Sequence, residues 1–260
     1  MGKLKDKVVR AADGRLLVER FSRVRRWEHS LALLTFVVLV LTGFPQKLEG
    51  SWSVAIITFL GGLDNARWIH RIAGVVFSLH ALVHIFALIV GASMGRIRLS
   101  LMPRVQDLKD AWHTLTYYLG LSKEPPPLPK FDYRQKFEYI GLVLGGMVMI
   151  FSGLMLMYPM LVASYLPGQL IPAAQLAHSN EAMLALLVLV IWHVYGSSLS
   201  PEVFPVDTSI FNGYIEAEEL KERHLLEYER LFGKEDVPVV DEEPKPDPAP
   251  LAAESTQPKG

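Results

Sequence analysis

Two histidines, His178 and His193, bracket an apolar run, AHSNEAMLALLVLVIWHVY, over residues 177–195. Fifteen residues apart in sequence, they stand roughly 22 Å apart along a helix and about 60° apart around it. A bilayer's hydrocarbon core is about 30 Å thick. One imidazole then lies near each face, and both can turn into one interior. Ionisable side chains inside a span are costly and default to a functional role. An imidazole in each leaflet suits two redox cofactors stacked across the membrane, provided that other spans supply the opposing ligands.

The other histidines sort by depth in the same way. His29 opens an apolar run from Trp27 to Phe44, and His70 opens a second from Arg67 to Val90. With both termini on one side, His29 and His193 share that side, and His70 and His178 share the other. A low-spin haem iron takes two axial ligands, which a four-helix bundle can present from facing helices. This pattern predicts two b-type haems. His84 follows His70 by fourteen residues, nearly on one face and about 21 Å further along. It is an alternative inner ligand to His29, and spacing alone does not choose between them. Gly74, one turn from His70, leaves room for a porphyrin face. Arg71 and Arg26 are candidate partners for haem propionates. His113 and His224 lie outside the spans and read as surface residues.

Composition narrows the chemistry. The 260 residues are half hydrophobic and contain no cysteine. That excludes disulfides, thiolate-ligated iron–sulfur and zinc sites, and covalently attached haem. Iron must be held by histidine, methionine or oxygen. The near-zero net charge conceals an asymmetry: residues 1–27 carry nine Lys/Arg against three Asp/Glu, and residues 197–260 carry six against fifteen. No basic patch of the kind that binds nucleic acid follows from this balance.

The elements that must position these side chains read as follows. The first span, about 27–44, is stopped by Gly43-Phe44-Pro45. Residues 52–62 are apolar but too short to cross, which suggests an interfacial or re-entrant piece. The second span follows at 67–90. Residues 94–136 hold eight Lys/Arg, with Val105, Leu108, Trp112, Leu115 and Leu119 at the spacing of a helix lying on the membrane surface. PPPLP at 125–129 is a stiff linker. The third span, about 137–158, carries Gly141, Gly145 and Gly146, which permit close approach of a helix or a flat ring. The fourth span is 177–195. Basic residues crowd the N-terminus and the 94–136 loop, whereas 45–66 has one Lys and 159–176 has no Lys or Arg, so both termini lie in the cytoplasm. The expected fold is an all-α integral-membrane four-helix bundle with interfacial helices. It divides into a basic cytoplasmic N-terminus (1–26), a four-span dihaem domain (27–196), a cytoplasmic segment with one amphipathic helix at 215–232 (197–234) and a disordered acidic tail (235–260).

The segments RFSRVRRWEHSLALLTFVVLVLTGFP, RWIHRIAGVVF and FDYRQKFEYIGLVLGGMVMIFSGLML, with the His178–His193 span, resemble the cytochrome b subunit of membrane-bound formate dehydrogenases. They also resemble the related b-type cytochromes of thiosulfate reductases and hydrogenases. The resemblance covers roughly residues 20–200. It implies an inner haem on His29 and His193, an outer haem on His70 and His178, and no ligand role for His84. It also implies a quinone site (menaquinone or ubiquinone) by the inner haem, at the loop entering span three. There Asp132, Gln135 and Lys136 stand where the family has a Y-N-x-x-Q-K pattern, with Asp132 replacing Asn.

The expected function is an electron-transfer subunit of a quinone-linked respiratory complex in a bacterial inner membrane. It would exchange electrons with a periplasmic iron–sulfur, molybdopterin or multihaem cytochrome c subunit. Two alternatives belong to other classes: a stand-alone reductase of an external acceptor such as ferric chelate, and a non-redox scaffold or transporter.

Overall fold

The computed structural model describes residues 8–97 and 99–233. The expected disordered tail at 235–260 lies outside the described residues. Among them, four helices are long and apolar enough to cross a membrane: α1 (Arg23–Lys47), α3 (Leu63–Ser93), α5 (Tyr133–Met157) and α7 (Leu170–Leu187), the last continuing without a break to Leu199. Each exceeds its sequence estimate because the flanking turns are helical too. Ser22 caps α1 by accepting from the Arg25 amide. Asp132 caps α5 by accepting from the amides of Arg134 and Gln135. Gly43-Phe44-Pro45 does not stop span one; α1 runs through it to Lys47. Proline within the last turns forfeits one backbone bond, and its fixed φ is already helical.

Short helices join the spans. Helix α2 (Ser51–Phe59) is about 14 Å long, too short to cross, and α6 (Pro159–Tyr165) is shorter still. Helix α4 (Val105–Tyr118) is the expected amphipathic helix. Val105, Leu108, Trp112 and Leu115 are exposed on it, as an interfacial helix requires.

The first and last described segments meet where α1 begins and α7 ends. Strands β1 (Val8–Arg10) and β2 (Leu16–Glu19) form a hairpin, and β2 pairs antiparallel with β3 (Tyr214–Glu216), with Val18 opposite Ile215. Helix α8 (Ser209–Asn212) precedes β3, and α9 (Ala217–Arg223) and α10 (Leu225–Phe232) follow it. The single helix expected at 215–232 is therefore a strand and two helices that break at His224. Val18, Ile215, Ala217, Leu220 and Phe232 form a buried core, so this cap is held as a soluble fold is, by apolar burial. The membrane helices instead turn most of their apolar surface outward.

His224 is no surface residue; it is 3 % exposed, and its Nδ1–H donates to Pro129 O at 2.8 Å, tying the cap to the PPPLP linker. Burial, reinforced by the Arg20 cation, pushes its imidazole down to about 3 from 6.5. Between those values the unfolded chain binds a proton that the folded cap does not. Cap stability thus falls as pH drops below about 6.5, by up to about 1.4 kcal/mol per unit. Hydrogen-exchange protection of residues 214–232 should decrease from pH 7 to pH 4.5. Constant protection over that range would show that the ring is not buried in neutral form. His113 is half-buried, with Nε2 3.0 Å from the Ser122 hydroxyl.

Candidate functional site

The bundle is built as two close helix pairs, α1 on α3 and α5 on α7, with lighter contact between the pairs. Imidazoles face each other across that seam. The His29 ring on α1 lies 6.1 Å, centroid to centroid, from the His193 ring on the continuation of α7. His70 on α3 lies 6.3 Å from His178 on α7. A metal–imidazole nitrogen bond is about 2 Å long, so two rings on opposite sides of one iron bring their centroids roughly 6 Å apart. Both pairs meet that requirement.

The neighbours of the rings decide which nitrogen is available. The Thr42 hydroxyl donates to Val38 O at 2.7 Å and lies 2.9 Å from His70 Nδ1. Its one proton is committed to the carbonyl, so its oxygen accepts from His70 Nδ1–H. Ser152 repeats the arrangement, donating to Val148 O at 2.6 Å and accepting from His178 Nδ1–H at 2.9 Å. Glu138 Oε1 lies 2.7 Å from His193 Nδ1, a close charge contact without hydrogen-bond alignment. In His70 and His178 the proton is held on Nδ1, which leaves the Nε2 lone pair for a metal, and the Glu138 carboxylate favours the same tautomer in His193. Metal-binding histidines show this pattern.

Two glycines complete the His70–His178 pair. A Cβ on Gly43 would lie 3.0 Å from His70 Cε1, and one on Gly153 would lie 3.3 Å from His178 Cε1. Each imidazole thus packs against a glycine of the neighbouring helix, directly after the residue that bonds its Nδ1. Sequence reasoning missed Thr42, Gly43, Glu138, Ser152 and Gly153 as site residues. A signal was present: a hydroxyl residue followed by glycine recurs near the C-terminal ends of spans one and three.

The backbone changes form at the other pair. From Val188 to His193, and again from Tyr195 to Leu199, the helix is π-type; the Ser200 amide donates to Tyr195 O, five residues back. Wide turns of this kind concentrate at functional sites. This one alters the angular step that an ideal helix would give between His178 and His193, and it carries His193 onto Glu138.

The remaining candidates are placed as follows. His84 lies against α1 and α5, 3.3 Å from Glu28 Oε2 and 3.2 Å from the Tyr139 hydroxyl. A Cβ on Gly74 would make only ordinary contact with Leu39. Among the span-three glycines, Gly141 and Gly146 face open space, and the Glu181 carboxylate lies against Gly145. Arg71 is exposed, while Arg26 donates to Phe211 O.

Asp132 and Gln135 form a reciprocal helix cap, and Lys136 Nζ donates to Asp107 Oδ1 at 2.6 Å with both groups nearly buried. Each of these three side chains therefore has a structural partner. Asn and Asp cap helices about equally well, so the departure at Asp132 preserves the cap. Among the described residues, no group of three or more His, Asp or Glu side chains is arranged to hold a bare metal ion.

Residues 20–204 match the family model described as prokaryotic cytochrome b561. No curated protein matches the chain.

Proposed function

The chain belongs to the prokaryotic cytochrome b561 family, transmembrane b-type haem electron-transfer proteins, and from that premise we propose that it is a dihaem conduit between a quinone pool and a redox partner on the outer face. The observation that carries this reading is the pair of facing imidazoles near each membrane surface, with centroids 6.1 and 6.3 Å apart. His29 and His193 would hold an inner haem, and His70 and His178 an outer one. A haem supplies a one-electron relay, and two in series divide an insulating layer about 30 Å thick. Thr42 and Ser152 hold the Nδ1 protons of the His70 and His178 rings and orient them, and the Glu138 carboxylate lies against His193 Nδ1. Gly43 and Gly153 let the outer rings seat closely, and Arg71 and Arg26 are the candidate propionate partners.

The reading includes both termini in the cytoplasm of a bacterial inner membrane, a quinone exchanging electrons near the inner pair by the Asp132–Gln135–Lys136 turn, and an iron–sulfur, molybdopterin or multihaem cytochrome c subunit outside. The loop charges support the orientation. The purified protein should carry two haems per chain and show b-type bands in its reduced-minus-oxidised spectrum. A ratio of one haem per chain would refute the two-site reading, and a featureless spectrum of intact protein would leave a non-redox scaffold. Ser152→Ala removes the acceptor of the His178 Nδ1 proton. It should weaken outer-haem retention by about 10- to 100-fold, read as faster transfer of haem to an apoglobin scavenger.

A further inference from the structure

Four polar side chains outside the imidazole pairs converge where α1, α3 and α5 meet: Arg25, Glu28, His84 and Tyr139. Arg25 Nη1 donates to Glu28 Oε2 at 2.6 Å. His84 Nδ1 is 3.3 Å from that same Glu28 oxygen and 3.1 Å from Arg25 Nη1, and its Nε2 is 3.2 Å from the Tyr139 hydroxyl. One turn away, His80 Nε2 is buried without a hydrogen-bond partner, and its ring is 6.5 Å from that of His84. A half-buried polar cluster inside a membrane bundle is costly to maintain for packing alone.

The distances at His84 Nδ1 have a chemical consequence. With the proton on Nδ1, the ring donates to Glu28, Tyr139 donates to Nε2, and the phenol oxygen is left as an acceptor. With the proton on Nε2, the ring donates to Tyr139, Nδ1 accepts from Arg25, and the phenol O–H is released to donate. Both tautomers are neutral, and both are fully partnered at His84. The Tyr139 hydroxyl is therefore a reversible contact that can accept from an O–H or donate to a C=O. A quinone alternates between those two groups at one oxygen.

We propose that the Tyr139 hydroxyl, set by His84 between Arg25 and Glu28, is the hydrogen-bonding contact for one oxygen of the quinone headgroup and accommodates both its oxidised and its reduced form. This rests on the quinone reading above and gives that site side chains other than the capped Asp132–Lys136 turn.

The test is calorimetric binding to the full-length haem-loaded protein. Menadione is titrated into the oxidised form and menadiol, anaerobically, into the reduced form, with haem content recorded for each variant. Tyr139→Phe and His84→Ala should each weaken both ligands by about tenfold, the loss of one hydrogen bond, while keeping two haems. Arg25→Met removes the partner of only one tautomer, so it should weaken menadione by about tenfold and leave menadiol within about twofold. A cluster that serves packing alone would not produce that split.

Wild-type affinity in both Tyr139→Phe and His84→Ala would overturn the assignment while the quinone reading stands. Loss of a haem in His84→Ala would overturn it by making His84 an iron ligand. Failure of the wild-type protein to bind either form would remove the quinone reading, and this inference with it.

Discussion

Replacing His178 by alanine should reduce the haem content from two per chain to one and leave the spectrum of the inner centre in place. His178 is one of two facing imidazoles, and His70 alone offers a single axial nitrogen. The Thr42–His70 and Ser152–His178 contacts serve only this pair. The inner pair lies roughly 22 Å away along the helix and has its own support from Glu138. Sites so far apart that share no partner respond independently. His193→Ala is the mirror experiment and should remove the inner centre alone. Haem-to-protein ratios and low-temperature difference spectra of the two variants check both. Joint loss of the haems in either variant would mean that the rings are paired otherwise or that the bundle forms only when both sites are filled.

Lys136→Met should destabilise the protein by about 3–5 kcal/mol, the cost of leaving one member of a buried ion pair alone. Lys136 Nζ and Asp107 Oδ1 are 2.6 Å apart, with the side chains 6 % and 10 % exposed, so water cannot compensate the stranded carboxylate. Asp107 also accepts from the Arg104 amide at the start of α4, which couples the interfacial helix to α5. The double variant Lys136→Met/Asp107→Asn removes both charges, keeps an oxygen for the cap and should recover most of the loss. Thermal release of haem, followed at the Soret band, reads the effect. Unchanged stability together with weakened quinone binding would instead make Lys136 a ligand-facing residue.

Several features were legible because they depend on residue type and local spacing. Hydropathy located the four spans, and the period of Val105, Leu108, Trp112 and Leu115 located α4. Span ends were less legible. Capping by Ser22 and Asp132 carries helix into polar sequence, and Pro45 is tolerated in a last turn. The hairpin at residues 8–19 was missed because its third strand lies about two hundred residues away, and His224 was misplaced for the same reason. Its burial comes in part from Pro129 and Arg20, both about a hundred or more residues away in sequence. Glu138 was visible as the last charge in span three, but its ring partner was not.

The sequence alone determined the number of spans, the exclusion of thiolate chemistry and the two depths at which imidazoles occur. Hydropathy, residue type and the 1.5 Å helical rise are properties of the chain itself. Only the tertiary structure decided that the His29 ring, and not that of His84, faces His193. It also decided which hydroxyls hold the Nδ1 protons of His70 and His178, and that a π-helical stretch turns His193 toward its neighbours. Those outcomes depend on the rotation of one helix against another, and a few degrees per turn, summed over a span, are enough to redirect a side chain.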